Sequence, residues 1–139
     1  MTRREAREAA LCALFALGYT PEKDAETLLS DYEGEFDGST DSYVREAVFG
    51  VLSTLPELDT AIAEAAVGWT MSRISRVSMA ILRLACYELL HMPEIPVLVS
   101  IDEAVELSKI YDDEKAYTFV NGVLNRIKES EAVAAVARA

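Results

Sequence analysis

The sequence predicts an all-α protein, a compact bundle of about seven helices that forms a single domain over residues 1–139. Apolar residues recur at helical spacing in nearly every segment, and T-x-x-E and S-x-x-E patterns mark helix starts. The chain has only six glycines and four prolines, and it is 51% hydrophobic and 27% charged, a composition typical of a folded globular protein. A length of 139 residues fits one domain with one core.

Two helices are predicted in the first 32 residues. Thr2 and Glu5 form the T-x-x-E capping box of the first helix, which runs to Gly18. Thr20 followed by Pro21 predicts the start of the second. The apolar residues at helical spacing are Leu11, Leu14, Phe15 and Leu17 in the first helix and Ala25, Leu28, Leu29 and Tyr32 in the second.

A loop and two further helices are predicted next. Residues 33–40 hold two glycines and no periodicity, which indicates a loop whose Phe36 is expected to fold back onto the domain. The third helix is predicted from Asp41 to Pro56 and the fourth from Leu58 to Gly68.

The second half begins with an ambiguous stretch, residues 69–76, followed by the predicted centre of the bundle. Residues 77–90 are apolar nearly all round, which favours a helix surrounded by others. The alternating residues 97–101 follow two prolines and are predicted to be an extended connector. Ser100 and Glu103 then form a second capping box that opens a helix ending near Tyr111.

A last helix is predicted from about Lys115, and residues 130–139 are predicted to be a frayed tail because they are rich in alanine. Asn121 and Gly122 lie in the middle of this helix, where each costs stability. Close approach of a neighbouring helix is the favoured explanation for Gly122. A cap or a ligand contact is the explanation for Asn121.

The first eight residues form a predicted arginine-rich arm, with Arg3, Arg4 and Arg7 in a chain of net charge −11. Basic residues are unfavourable at a helix N-terminus unless an anion binds there. Arg7 lies within about 20° of Leu14 around the helix axis, so the first two turns are expected to project beyond the core with their cations exposed. The sequence leaves open an anion site, with phosphate as the natural ligand, and solvated arginines paired with Glu5 and Glu8.

The charge distribution restricts where an anionic partner can bind. Residues 21–67 contain twelve acidic and two basic residues, whereas residues 1–20 and 68–93 are net positive. A nucleic acid would be repelled by the acidic segment and must bind elsewhere.

Catalysis, metals and cofactors are not predicted. Cys12 and Cys86 each lie in an apolar helical pattern, which favours buried thiols over a disulfide. Glu88 and His91 have the E-x-x-H spacing of di-iron bundles, but His91 is the only histidine and the partner ligands are missing. No apolar run approaches the length of a membrane span and no leader is recognisable, so the cytoplasm is the expected location.

Six motifs, in order and at matching spacing, resemble the NusB family of bacterial transcription antitermination factors along most of the chain. They are RREAREAALCALF, YVREAVFGV, LDTAI, VSMAILRLACYEL, SIDEAVELSK and FVNGVLNRI. The resemblance implies two packed three-helix subbundles with an extra helix and no enzymatic activity. It also implies binding to single-stranded boxA RNA of ribosomal RNA leaders, as a heterodimer with the ribosomal protein NusE in the RNA polymerase antitermination complex.

The same resemblance assigns residues to two surfaces. The positions that match the family's RNA-binding surface are Arg3, Arg4, Arg7, Phe15, Lys109, Phe119 and Asn121. The segment that matches the family's NusE-binding face supplies Ser72, Arg73, Arg76, Ser78 and Leu82. For Phe15 and Phe119, the sequence leaves burial in the core as the alternative to base stacking.

Two other functions and one other assembly remain open from the sequence. The domain also resembles the RNA-binding module at the start of some ribosomal-RNA cytosine methyltransferases, in which a cofactor-binding domain follows. A protein-only helical adaptor would keep the bundle and make the arginine arm irrelevant. Self-association as a homodimer is not decided by the sequence.

Overall fold

The computed structural model describes residues 2–32, 42–70 and 73–138, and only the backbone of 30–32. All regular elements in these ranges are α-helices, which confirms the predicted fold class. The helices are α1 (Arg3–Leu17), α2 (Ala25–Tyr32), α3 (Ser42–Ser53), α4 (Leu55–Ala65), α5 (Arg76–His91), α6 (Val97–Tyr111), α7 (Ala116–Lys128) and α8 (Glu131–Ala134). The loop predicted at 33–40, with Phe36, lies outside the described residues.

Helix α5 is the centre of the bundle, as its apolar composition predicts. It packs against α1, α3, α4, α6, α7 and α8. Helices α1, α2 and α3 contact one another, as do α5, α6 and α7, while α4 lies between the two groups. This arrangement is the predicted pair of three-helix subbundles with an additional helix.

Two helices begin at a proline and start earlier in the chain than the sequence predicted. Pro56 lies in the first turn of α4, so this helix starts before the predicted Leu58. Helix α6 begins directly after Pro96, and residues 97–99, predicted to be extended, are helical. Ser100 is therefore inside the first turn and does not cap it. A proline at a helix start loses no hydrogen bond, because the first N–H groups have no partner within the helix.

The start of α2 is also later than predicted. Asp24, rather than Thr20, accepts a hydrogen bond from the first turn, with 2.9 Å from the Thr27 nitrogen to the Asp24 carboxylate. The Thr20 hydroxyl instead donates to the Ala16 carbonyl at 2.9 Å. Thr20 therefore completes the end of α1.

The C-terminal residues are packed rather than frayed. Ser130 caps α8 by accepting from the Val133 nitrogen, and the Val133 side chain is buried. The Arg138 guanidinium donates to the Leu89 carbonyl at 2.8 Å and so covers the end of α5. These contacts correct the predicted tail for residues 130–138.

The two glycines inside helices behave differently from expectation. A Cβ atom on Gly122 would meet nothing within 4 Å, so no helix approaches it closely and that prediction is wrong. Gly50 is where the close approach occurs, because a Cβ there would lie 2.1 Å from Cζ of Tyr87 on α5. At this contact between α3 and α5, any residue with a Cβ atom at position 50 would force the Tyr87 ring to move.

The two cysteines are free thiols, and no membrane span or metal-ligand cluster is found in the described residues. Cys86 is buried, and burial raises the pKa of its thiol to about 12, while Cys12 is half-buried and neither forms a disulfide. Across residues 2–32, 42–70 and 73–138, no helix is long and apolar enough to cross a membrane. Within the same ranges, no group of three or more potential metal ligands is assembled.

Candidate nucleic-acid interface

The N-terminus of α1 begins as the sequence predicts. The Thr2 hydroxyl accepts from the Glu5 nitrogen at 3.1 Å, and the Glu5 carboxylate accepts from the Thr2 nitrogen at 2.8 Å. The Thr2 bonds hold the pKa of Glu5 below its ordinary value. The capping box fixes the first turn from which the arginines extend.

Arg7 is buried, which contradicts the expectation that the first two turns project beyond the core. Only 4% of Arg7 is exposed, and its guanidinium binds the Glu88 carboxylate on α5 through Nε and Nη2 at 2.9 and 3.0 Å. Although burial acts in the opposite direction, these bonds and the charge of Glu88 raise the pKa of Arg7. Arg7 continues the core stripe of α1 because a carboxylate from another helix meets it there.

Glu88 connects four helices through one carboxylate. Besides Arg7 of α1, it accepts from the Tyr43 hydroxyl of α3 at 2.5 Å and from the Ser100 hydroxyl of α6 at 2.7 Å. Burial, together with the charge of Glu88, raises the pKa of Tyr43 well above its ordinary value. We call Arg7, Tyr43, Glu88 and Ser100 the buried network. Its hydrogen bonds fix α1 on the bundle.

Arg3 and Arg4 remain at the surface. Arg4 binds Glu103 of α6 at 2.9 and 3.0 Å, and its side chain is 46% exposed. The bond to Arg4 holds the pKa of Glu103 below its usual range. The Arg3 guanidinium lies 4.6 Å from the centroid of the Tyr43 ring and has no ion pair with any carboxylate in the described part of the chain. The predicted partner Glu8 instead accepts from the Tyr111 hydroxyl.

A groove between α6 and α7 contains two of the predicted RNA-binding residues. It has a volume of about 490 Å³, and Lys109 and Asn121 line it together with Tyr117 and Thr118. Lys109 Nζ is 5.1 Å from the Tyr117 ring centroid and 3.6 Å from the Glu106 carboxylate. Asn121 is exposed and accepts from the Asn125 amide. The groove therefore presents a cation, an amide and an aromatic ring, together with the carboxylates of Asp102 and Glu106, which also line it.

The two predicted aromatic residues lie in different places, and both are half-buried. Phe15 packs edge-on against Tyr19 at 5.3 Å and lies about 17 Å along α1 from Arg4. Phe119 on α7 packs against Trp69 at 4.7 Å between ring centroids. Trp69 lies in the stretch that the sequence left ambiguous, and no pattern there marked it as part of a surface site.

The predicted NusE-binding segment is only partly at the surface. Arg73 and Arg76 are exposed, and Arg76 donates to the Gly18 carbonyl at 2.8 Å. Leu82 is fully buried in α5 and Ser78 is 2% exposed, with its hydroxyl donating to Asp112. Neither of these two side chains is available to a partner in this conformation. Ser72 lies outside the described residues.

Comparison with known proteins identifies the family. The sequence model of the NusB family matches residues 4–129. The chain belongs to the NusB family. It is 42% identical over 135 residues to the transcription antitermination protein NusB of Carboxydothermus hydrogenoformans, which covers 93% of this chain and 94% of that protein. The corresponding protein of Bacillus subtilis is 44% identical over 128 residues and covers 92% and 95%.

Solved structures agree with this assignment. A structure of NusB from T. maritima superimposes with a TM-score of 0.81 at 35% identity and covers 95% of this chain and 94% of that one. A crystal structure of the antitermination factors NusB and NusE in complex with double-stranded RNA gives a TM-score of 0.77 at 28% identity, covering 90% and 94%. The relatives are named for transcription antitermination, which is not a catalytic activity, and the prediction of a non-enzymatic family is confirmed.

Proposed function

We propose that this chain is a cytoplasmic antitermination factor that binds single-stranded boxA RNA of ribosomal RNA leaders together with NusE, within the RNA polymerase elongation complex. The NusB relative crystallised with NusE and double-stranded RNA supports the NusE and RNA partners in this proposal, and the single-stranded boxA target comes from the family resemblance. The observation that carries it is the exposure of Arg3 and Arg4 at the positive end of α1, in a chain of net charge −11. Basic residues at that position favour an anionic ligand.

The RNA path follows α1, α6 and α7. Arg4 pairs with Glu103, and Lys109 lies six residues further along α6, which is about 9 Å along the helix axis and about 120° around it. An exposed ion pair is readily exchanged, so a phosphate can replace Glu103 at Arg4. Asn121 across the groove supplies an amide to a base edge, and the half-buried rings of Phe15 and Phe119 offer stacking surfaces. Arg7 has a structural role instead, because its guanidinium is bound to the Glu88 carboxylate.

NusE binds, in this proposal, at the N-terminal end of α5. Arg73 and Arg76 are the exposed charged residues there, and the Arg76 guanidinium lies 4.2 Å from the Tyr19 ring centroid. The partner reinforces RNA binding, since the few exposed cations of this acidic chain give modest affinity alone. Each phosphate contact with a single strand contributes a slope of about −0.7 to the dependence of log affinity on log salt.

The proposal is tested by titrating labelled boxA RNA and a scrambled RNA of equal length, each with and without NusE, at two salt concentrations. We expect boxA to bind more tightly than the scrambled RNA, NusE to raise the affinity, and added salt to lower it. Equal binding of the two RNAs under every condition would show that the chain is not a boxA-binding factor.

A further inference from the structure

We propose that Trp69 and Phe119 form a ledge on which unpaired bases of the bound RNA stack, while Lys115 and Arg126 hold the adjoining phosphates. This inference rests on the proposed function and extends the contact already proposed at Phe119 to Trp69, Lys115 and Arg126. The two rings lie side by side with centroids 4.7 Å apart and planes tilted by 54°. Trp69 is 57% exposed and the neighbouring Val67 is 67% exposed, so a large apolar surface faces solvent.

Two grooves flank this ledge. The groove that also includes Arg73 is lined by Asp112 and Asp113 beside Trp69, Lys115 and Phe119. The other groove contains basic side chains and no acidic one among the described residues. It has a volume of about 380 Å³ and is lined by Trp69, Phe119, Lys115 and Arg126 among others, and none of its lining residues described in the structure is acidic. The chain has 24 acidic and 13 basic residues, so a groove lined by two cations, about 17 Å apart along α7, and by no carboxylate of the described residues is unusual here. No carboxylate of the described ranges pairs with either one. Flat apolar rings flanked by cations match a single strand, which has both bases and phosphates.

Helix α7 arranges these residues along one face. Lys115, Phe119, Gly122 and Arg126 follow each other at intervals of three or four residues, which places them in line along the helix. Arg126 Nη1 donates to the Ala65 carbonyl at 3.0 Å, which holds the guanidinium at the groove. Gly122 lines the groove with open space above it, so the missing side chain keeps the floor clear.

The ledge is continuous with the surface already proposed to bind RNA. Thr118 lines both this groove and the groove of Lys109 and Asn121. A strand that leaves Asn121 therefore reaches Phe119 and Trp69 without crossing the acidic helix α2. Base stacking at the ledge extends the RNA contact by one or two nucleotides.

Intrinsic fluorescence provides a direct test, because Trp69 is the only tryptophan in the chain. Adding boxA RNA to the whole protein at low salt is expected to quench the emission. An RNA with the same phosphates but abasic sites is expected to quench it much less. Binding that leaves the emission unchanged, or equal quenching by the abasic RNA, contradicts stacking.

Substitutions supply the matching affinity measurement. Stacking on one aromatic side chain contributes about 1–3 kcal/mol per base, so Trp69→Ala is expected to lower boxA affinity at least about fivefold. Trp69→Phe should restore most of it. Gly122→Gln, whose Cβ atom meets nothing within 4 Å and whose longer side chain extends into the groove, should also weaken binding. Phe49→Ala is the control, since Phe49 is another exposed ring beneath an arginine, on α3, and its loss should have no effect.

The outcomes separate the two proposals. If the wild-type chain binds boxA and Trp69→Ala binds it equally well, the ledge is wrong and the proposed function stands. If Trp69→Ala weakens NusE binding but leaves RNA affinity unchanged, the ledge belongs to a protein interface and the inference is overturned. If the wild type binds no RNA, both proposals fail. Thermal unfolding of each variant checks that the fold is intact.

Discussion

Replacing Glu88 with alanine is expected to lower the free energy of unfolding by about 3–5 kcal/mol, because it leaves a buried charge without its partner. Arg7 is 4% exposed and has both of its short bonds to Glu88. The Tyr43 and Ser100 hydroxyls lose their acceptor at the same time. Denaturant unfolding followed by circular dichroism measures the loss.

Two variants control for this effect. Glu26→Ala removes a carboxylate from an exposed ion pair with Arg45 and should leave unfolding nearly unchanged. Replacing Arg7 and Glu88 together with leucine should cost less than the sum of the two single changes, because neither charge is then left unpaired. A Glu88→Ala chain as stable as the wild type would mean that the buried network does not hold α1 in place.

The second large effect is expected on the affinity for boxA RNA. Arg3→Ala combined with Arg4→Ala is expected to lower boxA affinity at least about tenfold, because a hydrogen bond to a charged group contributes about 1.5–3 kcal/mol. The slope of log affinity against log salt should become shallower by about 1.4, the value for two lost phosphate contacts. Fluorescence anisotropy at several salt concentrations measures both quantities.

The stability of this double variant should stay close to that of the wild type. Both arginines are exposed, and basic residues in the first turn of a helix are electrostatically unfavourable. Arg45→Ala, which removes an exposed arginine of α3, is the matched control and should leave the RNA affinity unchanged. An unaltered salt slope in the double variant would exclude Arg3 and Arg4 as phosphate contacts.

Local features of the sequence were sufficient to predict most of the helices of the fold. The all-round apolar character of residues 77–90 predicted the central helix α5, and the Thr2–Glu5 pattern predicted the first cap. Both features depend on neighbours within one helix. The late start of α2 and the early start of α6 were missed, because Thr20 and Ser100 have capping sequences but use their hydroxyls elsewhere.

The candidate site was less predictable because it depends on distant pairs. Helical spacing placed Arg7 in line with the core, yet Glu88, its partner 81 positions away, has no local signal that links the two. Ser78 and Leu82 were assigned as part of a whole segment, although only some positions of a helix face outward. Trp69 follows a glycine in an irregular stretch, where no periodicity indicates whether a side chain is exposed.

The central claim is that RNA binds across the arm, α6 and α7, away from the acidic segment. Amide hydrogen exchange of the chain alone, and then with boxA RNA and NusE, tests this placement most directly. We expect slower exchange in the first turns of α1 and in residues 116–122 of α7, with no change in α2. Protection confined to α2 and α3, with unchanged exchange in α7, would contradict the account.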